Sequence, residues 1–241
     1  MVLKAYKQIL LVALGGPSSS GKTTCAKALY ELLPRSIIVH EDDFYFPDDK
    51  IPVDHEKNIK NWDCPGAIDF EKFVRYITDI KKSQKFDNKI ESLEIDSELK
   101  LSKEESKIID DQIKEIPGIE DTVVVLVDGF MLYHDPSICK LFDVKLFFYG
   151  SFETLKRRRE SRQGYNTVAG FWVDPPNYFT DIVWPEFVKN HKYLFENEDV
   201  NCDLNDYART DLTICSYKND VGTSLRDLVE WSLQQITHHI V

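Results

Sequence analysis

Apolar and polar positions fall into alternating blocks along this chain. The first block, Ile9-Leu10-Leu11-Val12-Ala13-Leu14, stops abruptly at glycine and serine. Four further apolar runs, over residues 36–40, 122–128, 144–149 and 211–217, read as strands. The run Val123-Val124-Val125-Leu126-Val127 is continuous rather than alternating, which suits a parallel strand covered on both faces. Between the strands the apolar period lengthens to that of a helix. Residues 22–33 form one such stretch. Residues 69–82 place Phe70, Phe73, Val74, Ile77 and Ile80 at helical spacing. Residues 102–116 open on a Ser102/Glu105 capping box and are expected to set Ile108, Ile109, Ile113 and Ile116 on one side. A last helix starts near 224 and carries Leu225, Leu228, Val229 and Ile236. This alternation predicts a three-layer α/β fold: a mainly parallel five-stranded sheet with helices on both faces, one domain over 1–241. A charge-rich stretch from 81 to about 106 reads as an exposed excursion. It lies within an insertion reaching about 121, which Pro117-Gly118 brings back toward the third strand.

Charge narrows the partners. The chain has 241 residues and a net charge of -11, which argues against a broad nucleic-acid surface or an anionic membrane, so any anion site must be local. Five scattered cysteines without a Cys-x-x-Cys read as a reduced protein of the cytoplasm. No apolar stretch approaches the ~20 residues of a membrane helix. The start, residues 1–8, runs straight into the first strand and does not read as a secretory signal.

The local anion site is at the end of that strand. Residues 16–23 read Gly-Pro-Ser-Ser-Ser-Gly-Lys-Thr, the Gly-x4-Gly-Lys-Ser/Thr spacing of a phosphate loop, between a strand and a helix. The glycines let backbone N–H groups curl around phosphate oxygens in front of a helix N-terminus. Gly16, Ser18, Ser19, Ser20, Gly21, Lys22, Thr23 and Thr24 are the expected nucleotide contacts, with Lys22 on the outer phosphates and the Thr23 hydroxyl on magnesium. In open parallel sheets ligands sit at the carboxyl ends of strands. The second strand there yields Glu41-Asp42-Asp43-Phe44-Tyr45, and the third yields Asp128-Gly129-Phe130. Asp128 sits where such proteins place an acid near magnesium. Asp42 is the candidate to receive the acceptor hydroxyl. A free aspartate with a pKa near ~3.9 is a weak base, but a loose phosphoryl-transfer transition state asks little of one.

A basic cluster, Lys156-Arg157-Arg158-Arg159-Glu160-Ser161-Arg162, interrupts the acidic chain. On a helix Arg158 and Arg162 share a face with Arg159 beside them. A lid over roughly 156–176 could bring these guanidinium groups onto a phosphoryl group. A solvated basic face or a nuclear-import patch is the other reading of the cluster, and adds the nucleus as a second compartment. Aromatic and acidic residues recur together in Asn61-Trp62-Asp63 and in Phe171-Trp172-Val173-Asp174, a pairing suited to a flat, cationic ring. Trp62 and Trp172 read equally well as packing residues.

Taken together, the phosphate loop, His40-Glu41-Asp42-Asp43-Phe44-Tyr45, Asn61-Trp62-Asp63-Cys64-Pro65-Gly66-Ala67, Val127-Asp128-Gly129-Phe130 and Lys156-Arg157-Arg158-Arg159 resemble the nicotinamide riboside kinases of fungal type, within the uridine kinase-like P-loop kinases. The resemblance covers most of 9–187; residues 81–120 and the chain beyond 195 match poorly. It implies ATP-dependent phosphorylation of the 5′-hydroxyl of nicotinamide riboside, feeding NAD synthesis, with ATP as phosphoryl donor and Mg2+ as metal. Asp42 would be base and metal-associated carboxylate with Thr23 on the metal. Asp43, Phe44, Tyr45, Trp62 and Asp63 would line the nucleoside site, and Arg158, Arg159 and Arg162 would act from the lid. Trp62 stands where animal members carry tyrosine. The implied protein is a monomer acting on a small nucleoside, with neither nucleic acid nor membrane as partner.

Uridine or cytidine kinase activity on the same fold is the rival within enzymes, because uracil would also stack. A nucleotide-binding switch is the rival from another class. Its guanine-reading Asn-Lys-x-Asp is absent: Asn88-Lys89-Ile90-Glu91 lacks the final aspartate.

Overall fold

The computed structural model describes residues 6–83, 101–162, 164–167 and 170–241. The remaining positions, 1–5, 84–100 within the expected excursion, and 163, 168 and 169 within the expected lid, lie outside the described residues. In chain order the strands are β1 (Gln8–Gly15), β2 (Ser36–His40), β3 (Val53–Asp54), β4 (Ile59–Lys60), β5 (Thr122–Gly129), β6 (Val144–Tyr149), β7 (Tyr165–Thr167), β8 (Gly170–Trp172) and β9 (Ile214–Lys218). The α-helices are α1 (Lys22–Leu32), α2 (Phe70–Ser83), α3 (Lys103–Lys114), α4 (Pro136–Cys139), α5 (Phe152–Glu160), α6 (Trp184–His191) and α7 (Leu225–Thr237).

Five strands form one sheet in the order β2-β5-β1-β6-β9, and all neighbours pair in parallel. β5 is buried along its whole length because it has a layer on each side. Its side chains divide with period two. Val125 and Val127 join the cluster that holds Phe73 and Ile77 of α2. Val124 and Leu126 join the one that holds Leu29 of α1, Ile109 of α3 and Val229 of α7. At about 1.5–3 kcal/mol per fully buried aliphatic side chain, this double coverage holds the sheet between its helices. β1 lies at the centre, and the chain leaves it first toward β2 and later toward β6. The crevice beyond the carboxyl end of β1 is therefore the topological switch point, where ligands of such sheets bind.

Three expectations change. The helix at 103–114 keeps its capping box, with the Ser102 hydroxyl accepting from Glu105 N–H and the Glu105 carboxylate from Ser102 N–H. Ile109 and Ile113 pack inward, but Ile108 is 41% exposed, because one residue along a helix turns the side chain 100° off the buried face. Buried Leu101 and this helix make the second half of the expected insertion part of a core layer rather than an excursion. The last strand begins at Ile214, not 211. Tyr207–Asp211 closes a π-helical turn, and Thr213 takes a φ of 54° that no strand accommodates.

Candidate functional site

The phosphate loop is built from backbone. Gly16 has φ 137°, and a Cβ there would stand 1.9 Å from the Phe148 carbonyl oxygen of β6. Gly21 has φ 96°, and its Cβ would meet the Asn219 amide at 2.5 Å. Ser19 also takes a positive φ, 67°. Both glycines are thus required by conformation and by space. The hydroxyls of Ser19 and Ser20 are buried and have no hydrogen-bond partner among the described residues. Buried polar atoms are normally paired, so two orphans in one loop mark it as a cradle for a polar ligand. Lys22 opens α1 and is nearly buried, while Thr23 and Thr24 are half-buried in the first turn.

At the neighbouring strand ends, β2 runs into a 3-10 turn, Glu41–Phe44. Asp42 and Asp43 are half-buried on it, and Asp42 is near enough to Tyr45 and Glu41 for its charge to reach both. Phe44 points the other way: its ring is buried edge-on against Phe73 at 5.2 Å, so it anchors the turn in the core and does not face the crevice. Glu41 is fully buried. Its Oε2 accepts from Met131 N–H at 2.9 Å and its Oε1 has no partner among the described residues. Burial pushes its carboxyl up to about 8, with the nearby Asp42 charge adding to it. Asp128, at the end of β5, accepts from His40 Nδ1–H at 3.1 Å through Oδ2, and its Oδ1 is an orphan. Burial raises the Asp128 carboxyl, but the His40 hydrogen bond, the Lys22 charge and the Thr23 hydroxyl together outweigh it and hold the group below the ordinary carboxylate range. Asp128 is therefore an anion with one oxygen uncommitted beside Thr23.

The other end of the crevice is made of side chains brought from far apart. Trp62 N–H donates to the Tyr178 hydroxyl at 3.1 Å, and that hydroxyl donates to Lys60 O. Asn61 reaches Glu186 of α6. These bonds hold the 61–63 loop beneath α6. Trp62 meets Tyr45 edge-on at 5.4 Å and Trp172 at 6.0 Å. It is only 8% exposed, so most of its ring is packing, but its buried Nε1–H has no acceptor among the described residues. Asp63 is 5% exposed and lies 3.6 Å from Arg159 Nη1. Burial raises its carboxyl, the Arg159 charge opposes this, and Asp174 adds to it.

The basic helix splits its arginines between the two ends. Arg159 donates through Nε and Nη2 to the two oxygens of Asp174, at 2.7 and 3.1 Å, and through Nη1 to Ser18 Oγ of the phosphate loop at 2.6 Å. Trp172 Nε1–H donates to Asp174 at 2.9 Å, tying the end of the β7-β8 hairpin to the same carboxylate. Arg158 turns toward the end of β9, where Nη1 donates to the Asn219 carbonyl at 3.1 Å. Arg162 is exposed just past α5. Reading the chain alone assigns no site role to Glu41, Tyr178 or Asn219, and places Asp174 only within an aromatic-acidic stretch suited to a cationic ring. Asp174 carried a signal, an acid two residues after a tryptophan in the lid. The other three depend on burial and long-range pairing that no local pattern announces. Between the two ends, Pro17, Ser18, Asp63, Phe130, Phe187 and His191 line a cavity of about 10 Å3, room for one water.

A glycine-shaped loop with buried orphan hydroxyls at a switch point, two strand-end acids and arginines on α5 form an arrangement suited to phosphoryl transfer. The sequence profile of the phosphoribulokinase/uridine kinase family matches residues 11–158. The nicotinamide riboside kinase of Saccharomyces cerevisiae is 40% identical over 233 residues, which cover 95% of this chain and 96% of that one. The nicotinamide riboside kinase of Schizosaccharomyces pombe is 37% identical over 235 residues, covering 95% and 97%. A uridine kinase of Bacillus cereus is 24% identical over 200 residues, covering 76% and 88%. With two fungal enzymes matched nearly end to end, the chain belongs to the nicotinamide riboside kinases and to the wider phosphoribulokinase/uridine kinase family.

Proposed function

We propose that this kinase transfers the terminal phosphoryl group of ATP to the 5′-hydroxyl of nicotinamide riboside, giving nicotinamide mononucleotide for NAD synthesis. The observation that carries the choice of acceptor is the charge at the aromatic end of the crevice. Two carboxylates, Asp63 and Asp174, face one guanidinium, Arg159. A pyridinium ring brought among Tyr45, Trp62 and Trp172 meets this net negative charge and helps keep Asp63 ionised against its burial. Neutral uracil gains nothing from it.

The roles then follow position. Backbone N–H groups of the loop, such as those of Ser18, Ser19 and Gly21, and the Lys22 ammonium hold the donor phosphates. Asp42 orients the acceptor hydroxyl and takes its proton late. Arg159, tied to Ser18 at the rim of the cradle, holds the lid over the transferred group, with Arg158 and Arg162 alongside. Thr23, Asp128 and Asp42 would hold Mg2+. The uncommitted Asp128 Oδ1 and the neighbouring Thr23 hydroxyl fit a hard cation. No group of three or more His, Cys, Asp or Glu among the described residues could hold a metal alone, so phosphate oxygens and water would complete the shell. Bound there, the metal would neutralise charge on the phosphates.

Five cysteines free of disulfides suit the reducing cytoplasm. Among the described residues no helix is long and apolar enough to cross a membrane. Incubation of the purified protein with ATP, Mg2+ and nicotinamide riboside tests the reaction. Equal amounts of nicotinamide mononucleotide and ADP are expected. ADP formed without phosphorylated riboside would overturn the proposal.

A further inference from the structure

Asn219 follows directly on β9, the edge strand, and is only 5% exposed. Its backbone N–H donates to Tyr149 O at 2.7 Å, extending the β6-β9 ladder by one bond and fixing where the residue stands. Every other polar group it owns is used across the crevice. The side-chain Nδ2–H donates to Ser20 O of the phosphate loop at 2.8 Å. The side-chain Oδ1 accepts from Arg158 Nη2 at 3.3 Å, and the backbone carbonyl accepts from Arg158 Nη1 at 3.1 Å. Gly21 has no Cβ where this amide packs, since one would come within 2.5 Å of Nδ2.

We infer that Asn219 is a positioning residue that sets the donor-phosphate cradle and the lid arginine from one rigid point on the sheet edge. A phosphate loop works only if its N–H groups face the anion and its carbonyls face away. The Asn219 amide N–H holds the Ser20 carbonyl turned outward. The two oxygens of Asn219 receive the fork of Arg158, so its guanidinium is parked over the Ser19–Ser20 peptides instead of in solvent. One residue thereby ties the sheet, the loop and α5.

Asn219→Asp separates the two halves of this role with almost no change of size. It keeps an acceptor for Arg158 but replaces the donor to Ser20 O by a second oxygen, which repels that carbonyl. Because the inference rests on the triphosphate reading of the loop, the test is direct calorimetric titration with Mg2+-ATP in the absence of acceptor, followed by steady-state kinetics. Asn219→Asp should weaken ATP binding about tenfold, equivalent to ~1.4 kcal/mol, with KM for the nucleoside within about twofold. Asn219→Ala should weaken ATP binding and also lower kcat, because Arg158 loses one of its anchors. Unfolding midpoints of the nucleotide-free variants, near that of the wild type, confirm that a fold is being compared. ATP affinity within twofold of wild type in both variants, or equal weakening toward ATP and nucleoside, overturns the inference. Failure of the wild type itself to bind Mg2+-ATP sinks the triphosphate reading as well.

Discussion

The two ends of the crevice are built by different means. The phosphate end is backbone: a loop of eight residues whose shape is forced by Gly16, Ser19 and Gly21 at positive φ. The nucleoside end is side chain: Asp63, Arg159, Asp174, Trp62, Trp172 and Tyr178, drawn from two parts of the chain about a hundred residues apart and held by one branched network. A backbone site binds what all nucleoside triphosphates share. A side-chain site can be re-tuned one residue at a time, so we place acceptor specificity there. Arg159 is the bridge, with one hydrogen bond to the loop and two to the network.

The sharpest way to probe this division is at its border. Asp42→Ala is expected to lower kcat by roughly 10²–10⁴-fold while weakening ATP binding far less, since Thr23 and Asp128 remain for the metal, as read by titration and turnover of the same preparation. Full activity would remove Asp42 from the proton-accepting role. Lys22→Ala breaks the phosphate end. A loss of about 10²–10³-fold in kcat/KM for ATP is expected, with the nucleoside dissociation constant within about twofold; equal damage to both ligands would mean the ends are not separate. Asp63→Asn breaks the other end. It should raise KM for nicotinamide riboside about tenfold, the size of one charge-assisted contact, and leave KM for ATP unchanged.

The smallest effect is on stability. Burial lowers His191, which borders the water-sized cavity, to about 4, so the folded state keeps it neutral where the unfolded chain binds a proton. Stability should therefore fall as pH drops from about 6.5 toward 4, by roughly 1–3 kcal/mol from this group. Its Nδ1–H donates to Phe187 O, so His191→Phe costs about 1 kcal/mol at neutral pH but should flatten that part of the pH profile. An unchanged slope in thermal unfolding from pH 6.5 to 4 would assign the acid sensitivity elsewhere.

The contrast also explains what could be read from the chain. The phosphate end was legible because its determinants are consecutive: strand, glycines, lysine, hydroxyl, helix. The sheet was legible for a similar reason, since a continuous run such as 123–127 tolerates only burial on both faces. The nucleoside end was legible in its residue types but not in its wiring. Nothing near Trp62 announces that Tyr178 will hold its N–H, and nothing near Arg159 announces that Asp174 will take two of its donors. Phe44 shows the opposite failure. It sits inside a motif of site residues yet serves the core, because a 3-10 turn rotates each side chain about 120° from the last. Asn219 lies beyond 195, outside every motif that carries the family resemblance, and only the fold brings it to the loop.

The most direct test of the central claim is a competition in one vessel, with nicotinamide riboside and uridine at equal concentration, limiting Mg2+-ATP, and both monophosphates quantified. The charge and aromatic lining of the nucleoside end predict that nicotinamide mononucleotide dominates the products, and that Asp63→Asn narrows the ratio. Uridine monophosphate as the main product of the wild-type protein would contradict the account.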